Sequence, residues 1–196
     1  MHRASATLLR PPASDADIAT VEESIGVTFP PTLRAWYRLH DGIDDPEAGK
    51  SWWPAGFLPS GQGWYRLEQL QDTYVVQTRD WEREPGRIPI SCTPGDIWYG
   101  RYIDARPGEP SYGNLGRWAA DEEPEPIPTF TDGWPLPAWL TELADALEQG
   151  RCLIEPGGRR DEFNWPVLTV CGGLTWVDPR DARLMPEGGT LLDGPR

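Results

Sequence analysis

The sequence predicts an α+β fold, and three observations carry that reading. Residues 14–42 hold two runs with apolar positions at helical spacing, joined by a proline-marked elbow. Between Ile88 and Trp118 lie several short runs rich in Ile, Tyr and Trp and bounded by glycine, which suit strands. From Pro137 to Gln149 an amphipathic pattern returns to the helical period.

Taken in order, residues 1–13 read as an N-terminal lead or edge segment. Ser14 suits a helix N-cap, with Asp17 three residues on completing a weak capping box. Ile18, Val21 and Ile25 share one helical face, and Gly26 supplies the left-handed stop. Val27 and Phe29 alternate across a short extended link. Pro30 and Pro31 open a second helix, where a missing amide costs little. Leu33, Trp36, Tyr37 and His40 then form an apolar stripe running to Gly42, which places Trp36 in the core.

The stretch 43–56 is a charged loop containing the pair Trp52-Trp53, and Phe57-Leu58-Pro59 is a short apolar anchor. Leu67, Leu70 and Tyr74 predict a helix over Tyr65–Thr78. Trp81–Gly86 is a polar break. Ile88-Pro89-Ile90, Ile97-Trp98-Tyr99, Tyr102-Ile103-Asp104 and Leu115–Trp118 read as strands, with Gly95 and Gly100 as separators. Residues 119–132 are acidic and proline-rich and read as a solvated loop rather than an element. In the next helix Leu140, Leu143 and Leu147 share a face, and Gly150 ends it. Beyond, Val167–Val170 and Leu174–Val177 flank Gly172-Gly173 as a hairpin in a C-terminal extension, 151–196.

A chain of 196 residues with 38% hydrophobic content can bury a sizeable core in one domain, with an appendage. Eleven tryptophans are too many to leave exposed, so most belong inside. Twenty-two prolines and twenty-one glycines predict long connections around a modest regular frame. The net charge of −13 repels nucleic acid and anionic membrane and favours a basic partner. Cys92, Cys152 and Cys171 are odd in number and lack metal-ligand spacing, so free thiols are expected. No N-terminal apolar run suits a signal peptide and no stretch approaches a membrane span, so the expected location is the cytoplasm.

No catalytic set assembles from the residues. His40-Asp41 could be a base and its orienter, but adjacent helical residues point about 100° apart, and a core or capping role fits better. Asp121, Glu122, Glu123 and Glu125 lack the ordering glycines of a cation loop. Gly61-Gln62-Gly63 precedes no Lys-Ser/Thr pair, and Ser91-Cys92 has no histidine placed to activate it. The expectation is a protein that is not an enzyme and takes no cofactor and no metal.

The ordered set Ile18, Glu22, Ile25-Gly26-Val27, Phe29-Pro30, Leu33, Trp36-Tyr37 and His40-Asp41-Gly42 resembles the opening signature of the SUKH superfamily, the Smi/Knr-type domain. Phe29 stands where that family usually has Leu, and Asp41 where it usually has Asn; both replacements keep an apolar plug and a short polar residue before glycine. The resemblance extends over about residues 14–150, through a strand of the Ile-Pro-Ile type, a strand ending in aspartate, and a closing helix.

It implies helices packed around a central antiparallel sheet. By family analogy it also implies a non-catalytic binding role: an immunity protein that neutralises a cognate toxin domain, such as a nuclease, of a bacterial polymorphic toxin system. The acidic surface would then mimic nucleic acid. The alternative within the family is a housekeeping scaffold or regulator acting by protein contacts, as in control of cell-wall synthesis. The expected contact residues lie in two acidic loops. Asp44, Asp45, Glu47, Asp121, Glu122 and Glu123 would steer a basic partner, and Trp52 or Trp53 would anchor it.

Overall fold

Helix α1 (Asp15–Ile25) starts as its sequence dictates. The Ser14 hydroxyl accepts from the Asp17 amide at 3.1 Å, and the Asp17 carboxylate accepts from the Ser14 amide at 3.2 Å. Gly26, at φ 70°, ends it. The computed structural model describes residues 6–44, 56–93, 99–126, 133–169, 172–181, 183 and 185–192, without the side chains of 123–126.

Helix α2 (Pro31–Tyr37) follows the elbow. Glu22, buried on α1, locks the two helices at a fixed angle. Its carboxylate accepts from the Phe29 amide at 2.6 Å and from both Nε and Nη2 of Arg34. Removing it would leave a buried amide and a half-buried guanidinium unpaired. Glu22→Ala is therefore expected to lower unfolding free energy by about 2–3 kcal/mol in urea denaturation. Helix α2 stops at Tyr37 rather than running to Gly42. Leu33 and Tyr37 are fully buried, whereas Trp36 is only half-buried, its ring 4.4 Å from that of Trp64. The expectation of a core Trp36 is corrected accordingly: the short helix turns that face partly toward solvent.

Strand β1 (Gly63–Trp64) leads into helix α3 (Leu67–Arg79), which begins two residues later than its apolar spacing predicts because Tyr65 is still extended and donates its amide to Ile90. β1 opens an antiparallel sheet with β2 (Arg87–Cys92), β3 (Tyr99–Asp104), β4 (Asn114–Ala119) and β5 (Glu122–Pro126) in that order, and β6 (Trp134–Pro135) pairs with the start of β4. Gly100 is no separator. It lies inside β3 opposite Cys92 and Trp118, where a Cβ would overlap the Ser91 carbonyl. Ile97 and Trp98 lie outside the described residues.

The acidic segment read as a solvated loop is in part a strand. β5 pairs with β4 through Gly116–Pro126, Arg117–Glu125 and Ala119–Glu122, with a register irregularity between Arg117 and Ala119. Its prolines are compatible with pairing because β5 is an edge strand and needs donors on one side only. Trp81, expected in a polar break, packs on Trp118 with ring centroids 6.1 Å apart.

Helix α4 (Leu136–Gln149) buries Leu136, Trp139, Leu143 and Ala146, while Leu140 and Leu147 are half-buried at the margin of that face. Helices α1 and α3 pack together, and α3 packs on β2. The core between them and the sheet contains Ile18, Phe29, Leu33, Leu70, Ile88, Ile90 and Ile103, all essentially inaccessible.

After α4, β7 (Leu153–Ile154) pairs with β8 (Arg160–Asp161), and β9 (Trp165–Leu168) forms the expected hairpin with β10 (Leu174–Val177). β11 (Thr190–Leu191) adds to the other edge of β9. Leu153, Leu174 and Trp176 join the same core as the helices. The Trp176 indole donates to the Phe57 carbonyl at 2.8 Å across 119 positions of chain.

Candidate protein-binding site

The polar end of the helical signature serves the frame. Asp41 Oδ1 accepts from the Leu67 amide at 2.9 Å, capping the start of α3, and Oδ2 accepts from Arg10 Nε at 3.3 Å. His40 Nδ1 lies 3.2 Å from the Arg10 carbonyl, and its ring meets Trp36 edge-on. Both side chains thus meet Arg10, His40 at its carbonyl and Asp41 at its guanidinium, and the capping is done by Asp41 rather than by His40.

Of the expected contact residues, Asp44 is exposed and pairs with Arg10 at 2.6 Å, beside the bridge between Leu9 and Ile43. Asp45, Glu47, Trp52 and Trp53 lie outside the described residues. Asp121 and Glu122 are exposed at the turn joining β4 to β5. Glu123 lies on β5, and its side chain is among those not described.

Asp121 and Glu122 rim a cleft of about 410 Å³ whose lining includes Ser60, Gln62, Tyr99, Arg101 and Arg117. A second cleft of about 330 Å³ adjoins it through Ser60 and Tyr99 and is lined by Phe163, Asn164 and Trp176. Tyr99 and Phe163 are among the large apolar side chains left exposed, at 43% and 68%. Aromatic groups in this state beside clefts supply contact area to a partner.

The ridge between the clefts is held by a polar network. Ser60 adopts φ 64°, rare for a residue with a side chain, and its amide donates to Asn164 Oδ1 at 3.0 Å. Asn164 is itself held by Asp161, at 2.8 Å from Nδ2. Below, Arg101 is 8% exposed. Its Nη1 donates to the Pro59 carbonyl at 3.1 Å and to Gln62 Oε1 at 2.5 Å, and the guanidinium lies 5.1 Å from the Trp139 ring centre. Gln62 Oε1 also accepts from the buried Ser91 hydroxyl at 2.8 Å. Arg101 Nε is buried without a partner. Desolvation pulls the Arg101 pKa down to about 10, against the opposing field of Asp161.

Ser60, Arg101, Phe163 and Asn164 escaped the sequence reading. No local signal marks them: Arg101 falls in the glycine break between two expected strands, where a charge is ordinary. Among the described residues no group of three or more His, Cys, Asp or Glu side chains could hold a metal ion. Cys92 and Cys152 are buried and not in a disulfide, and Cys171 lies outside the described residues. Among the described residues no helix is long and apolar enough to cross a membrane.

The arrangement defines a class: an α+β domain with helices on an antiparallel sheet, an acid-rimmed cleft on that sheet, and an adjoining cleft lined in part by the C-terminal strands. The model of the SMI1 / KNR4 family (SUKH-1) matches residues 12–149, and the chain belongs to that family. A comparison with curated proteins finds no match. Family membership is consistent with a non-catalytic domain.

Proposed function

We propose that this chain is a non-catalytic protein-binding module that acts as an immunity protein, neutralising a basic toxin domain of a bacterial polymorphic toxin system. The observation that carries the reading is the acid-rimmed cleft. Asp121 and Glu122 stand exposed over it, with the exposed Tyr99 beside them, on a chain of net charge −13. Such a surface attracts a cationic protein at long range and offers aromatic area at contact. Family membership is consistent with a binding role, and the toxin as partner is carried over by analogy from the SUKH resemblance of the opening signature. Asp44, Asp45 and Glu47 would extend the acidic field, with Trp52 or Trp53 as anchor.

Two measurements test this. Affinity capture from the native cell, followed by mass spectrometry, should recover a basic domain whose expression alone arrests growth and whose co-expression with this chain does not. Recovery only of a non-toxic cell-envelope or housekeeping protein would favour the scaffold reading. With the partner in hand, Asp121→Lys with Glu122→Lys should slow association several-fold at low salt. The effect should fade as salt rises, because exposed charges are screened within about 8–10 Å. The triple reversal of Asp44, Asp45 and Glu47 should do likewise. Melting temperature should hardly move, since the exposed Arg10–Asp44 pair is worth at most about 1 kcal/mol. Association unchanged by both sets would place the interface elsewhere.

A further inference from the structure

Arg101 is the most unusual charge among the described residues. A guanidinium this deeply buried normally meets a carboxylate, because an uncompensated buried charge is expensive. Among the described residues Arg101 meets none within ion-pair distance. Its hydrogen bonds go from Nη1 to the neutral oxygens of Pro59 and Gln62, its Nε is unpartnered, and its planar face rests on Trp139. The Asp161 carboxylate is spent on the Phe163 amide and on Asn164. Yet Arg101 lines an open cleft, so an anionic group arriving from outside can approach it.

The rest of the lining narrows the ligand. Arg117 adds a second cation, and Asp121 and Glu122 bring two carboxylates to the same cleft. A simple anion would gain at Arg101 and lose at the acidic rim. A molecule with a carboxylate at one end and an amine at the other satisfies both. The volume of about 410 Å³ suits a small ligand. We propose that this cleft is a binding site for a small amino-acid-like zwitterion, its carboxylate held by Arg101 and its ammonium end by Asp121 and Glu122. The site shares its rim with the surface proposed for the basic partner, since both use Asp121 and Glu122, so ligand and partner would compete there.

The test uses the full chain and heteronuclear NMR, following the Arg101 Nε and Trp118 indole signals. The Trp118 indole donates to the Arg101 carbonyl at 3.1 Å and so reports on the same strand. L-lysine, acetate, cadaverine and inorganic phosphate are titrated separately. Lysine is expected to shift both signals saturably in the millimolar range, and the other three to bind at least about tenfold more weakly, each lacking one charge of the pair. Arg101→Met should abolish the lysine shifts at the Trp118 indole, and Glu122→Gln, an exposed change, should weaken them with the fold intact. If Arg101→Met does not fold, Tyr99→Ala on the cleft wall, with Glu122→Gln, carries the comparison. Equal binding of acetate and lysine would overturn the two-ended assignment. No saturable shift with lysine, or shifts unaltered in the variants, would overturn the site.

Discussion

Gly42→Ala is expected to destabilise the protein by about 4 kcal/mol or more, enough to unfold most of a domain of ordinary stability. Two penalties combine. Gly42 sits at φ 67°, where a side chain is strained. A Cβ there would also overlap the Tyr65 carbonyl and the Arg66 nitrogen, which are backbone and cannot rotate aside. The surrounding contacts hold both chains in place. Ile43 donates to the Trp64 carbonyl at 3.2 Å, and Asp41 caps Leu67. Gly26→Ala is the control. Its φ is 70° and nothing lies within 4 Å of the added carbon, so about 1 kcal/mol is expected from backbone strain alone. Urea denaturation of the two variants separates crossing from conformation. Equal losses would show that Gly42 does not cross the Tyr65–Arg66 backbone as described.

Asp104→Ala is expected to cost about 3–5 kcal/mol. The side chain is 2% exposed, and it organises the turn from β3 to β4. Its carboxylate accepts from the Arg106 amide at 3.0 Å, from Arg106 Nε at 3.0 Å and Nη2 at 2.5 Å, and from the Ser111 hydroxyl at 2.7 Å. Burial by itself would raise the Asp104 pKa. The hydrogen bonds and charge of Arg106, with Ser111, outweigh it and hold the carboxyl below its ordinary value. A depressed folded pKa means that this stabilisation is fully present above about pH 4 and is lost as pH falls through the lower folded value. The wild type should therefore lose stability on acidification more steeply than Asp104→Ala, and the two stabilities should converge toward low pH. Parallel profiles would remove Asp104 from the acid transition.

The helical parts were legible because their signals are local. Ser14, Asp17 and Gly26 dictate the bounds of α1 whatever surrounds them, and the stripe of α4 shows on its own face. The Val167 to Val177 hairpin was legible for the same reason. β5 was not. Glutamate and proline argue against a strand by propensity, and only the bare edge of β4 overrides them, a fact about topology rather than about the segment. Trp36 was misplaced because spacing gives a face but not the point at which a short helix leaves the core. The candidate site was half legible. The acids showed in composition, whereas the cleft depends on Ser60 meeting Asn164 across 104 positions, which no local pattern encodes.

The bond from Trp176 to Phe57 also has a meaning in time. During synthesis the signature helices emerge first, and the chain is made at about 5–20 residues per second. Phe57 must therefore wait for Trp176, 119 residues later, before its carbonyl finds that donor. The front of the molecule cannot reach its final packing while the ribosome is still adding the back. A nascent chain stopped after α4 would carry the family's entire matched region yet present the apolar floor that Leu174 and Trp176 cover. Such an intermediate is a substrate for chaperones and proteases, so late sequence changes far from the signature should be read out first as low abundance in the cell rather than as weak binding.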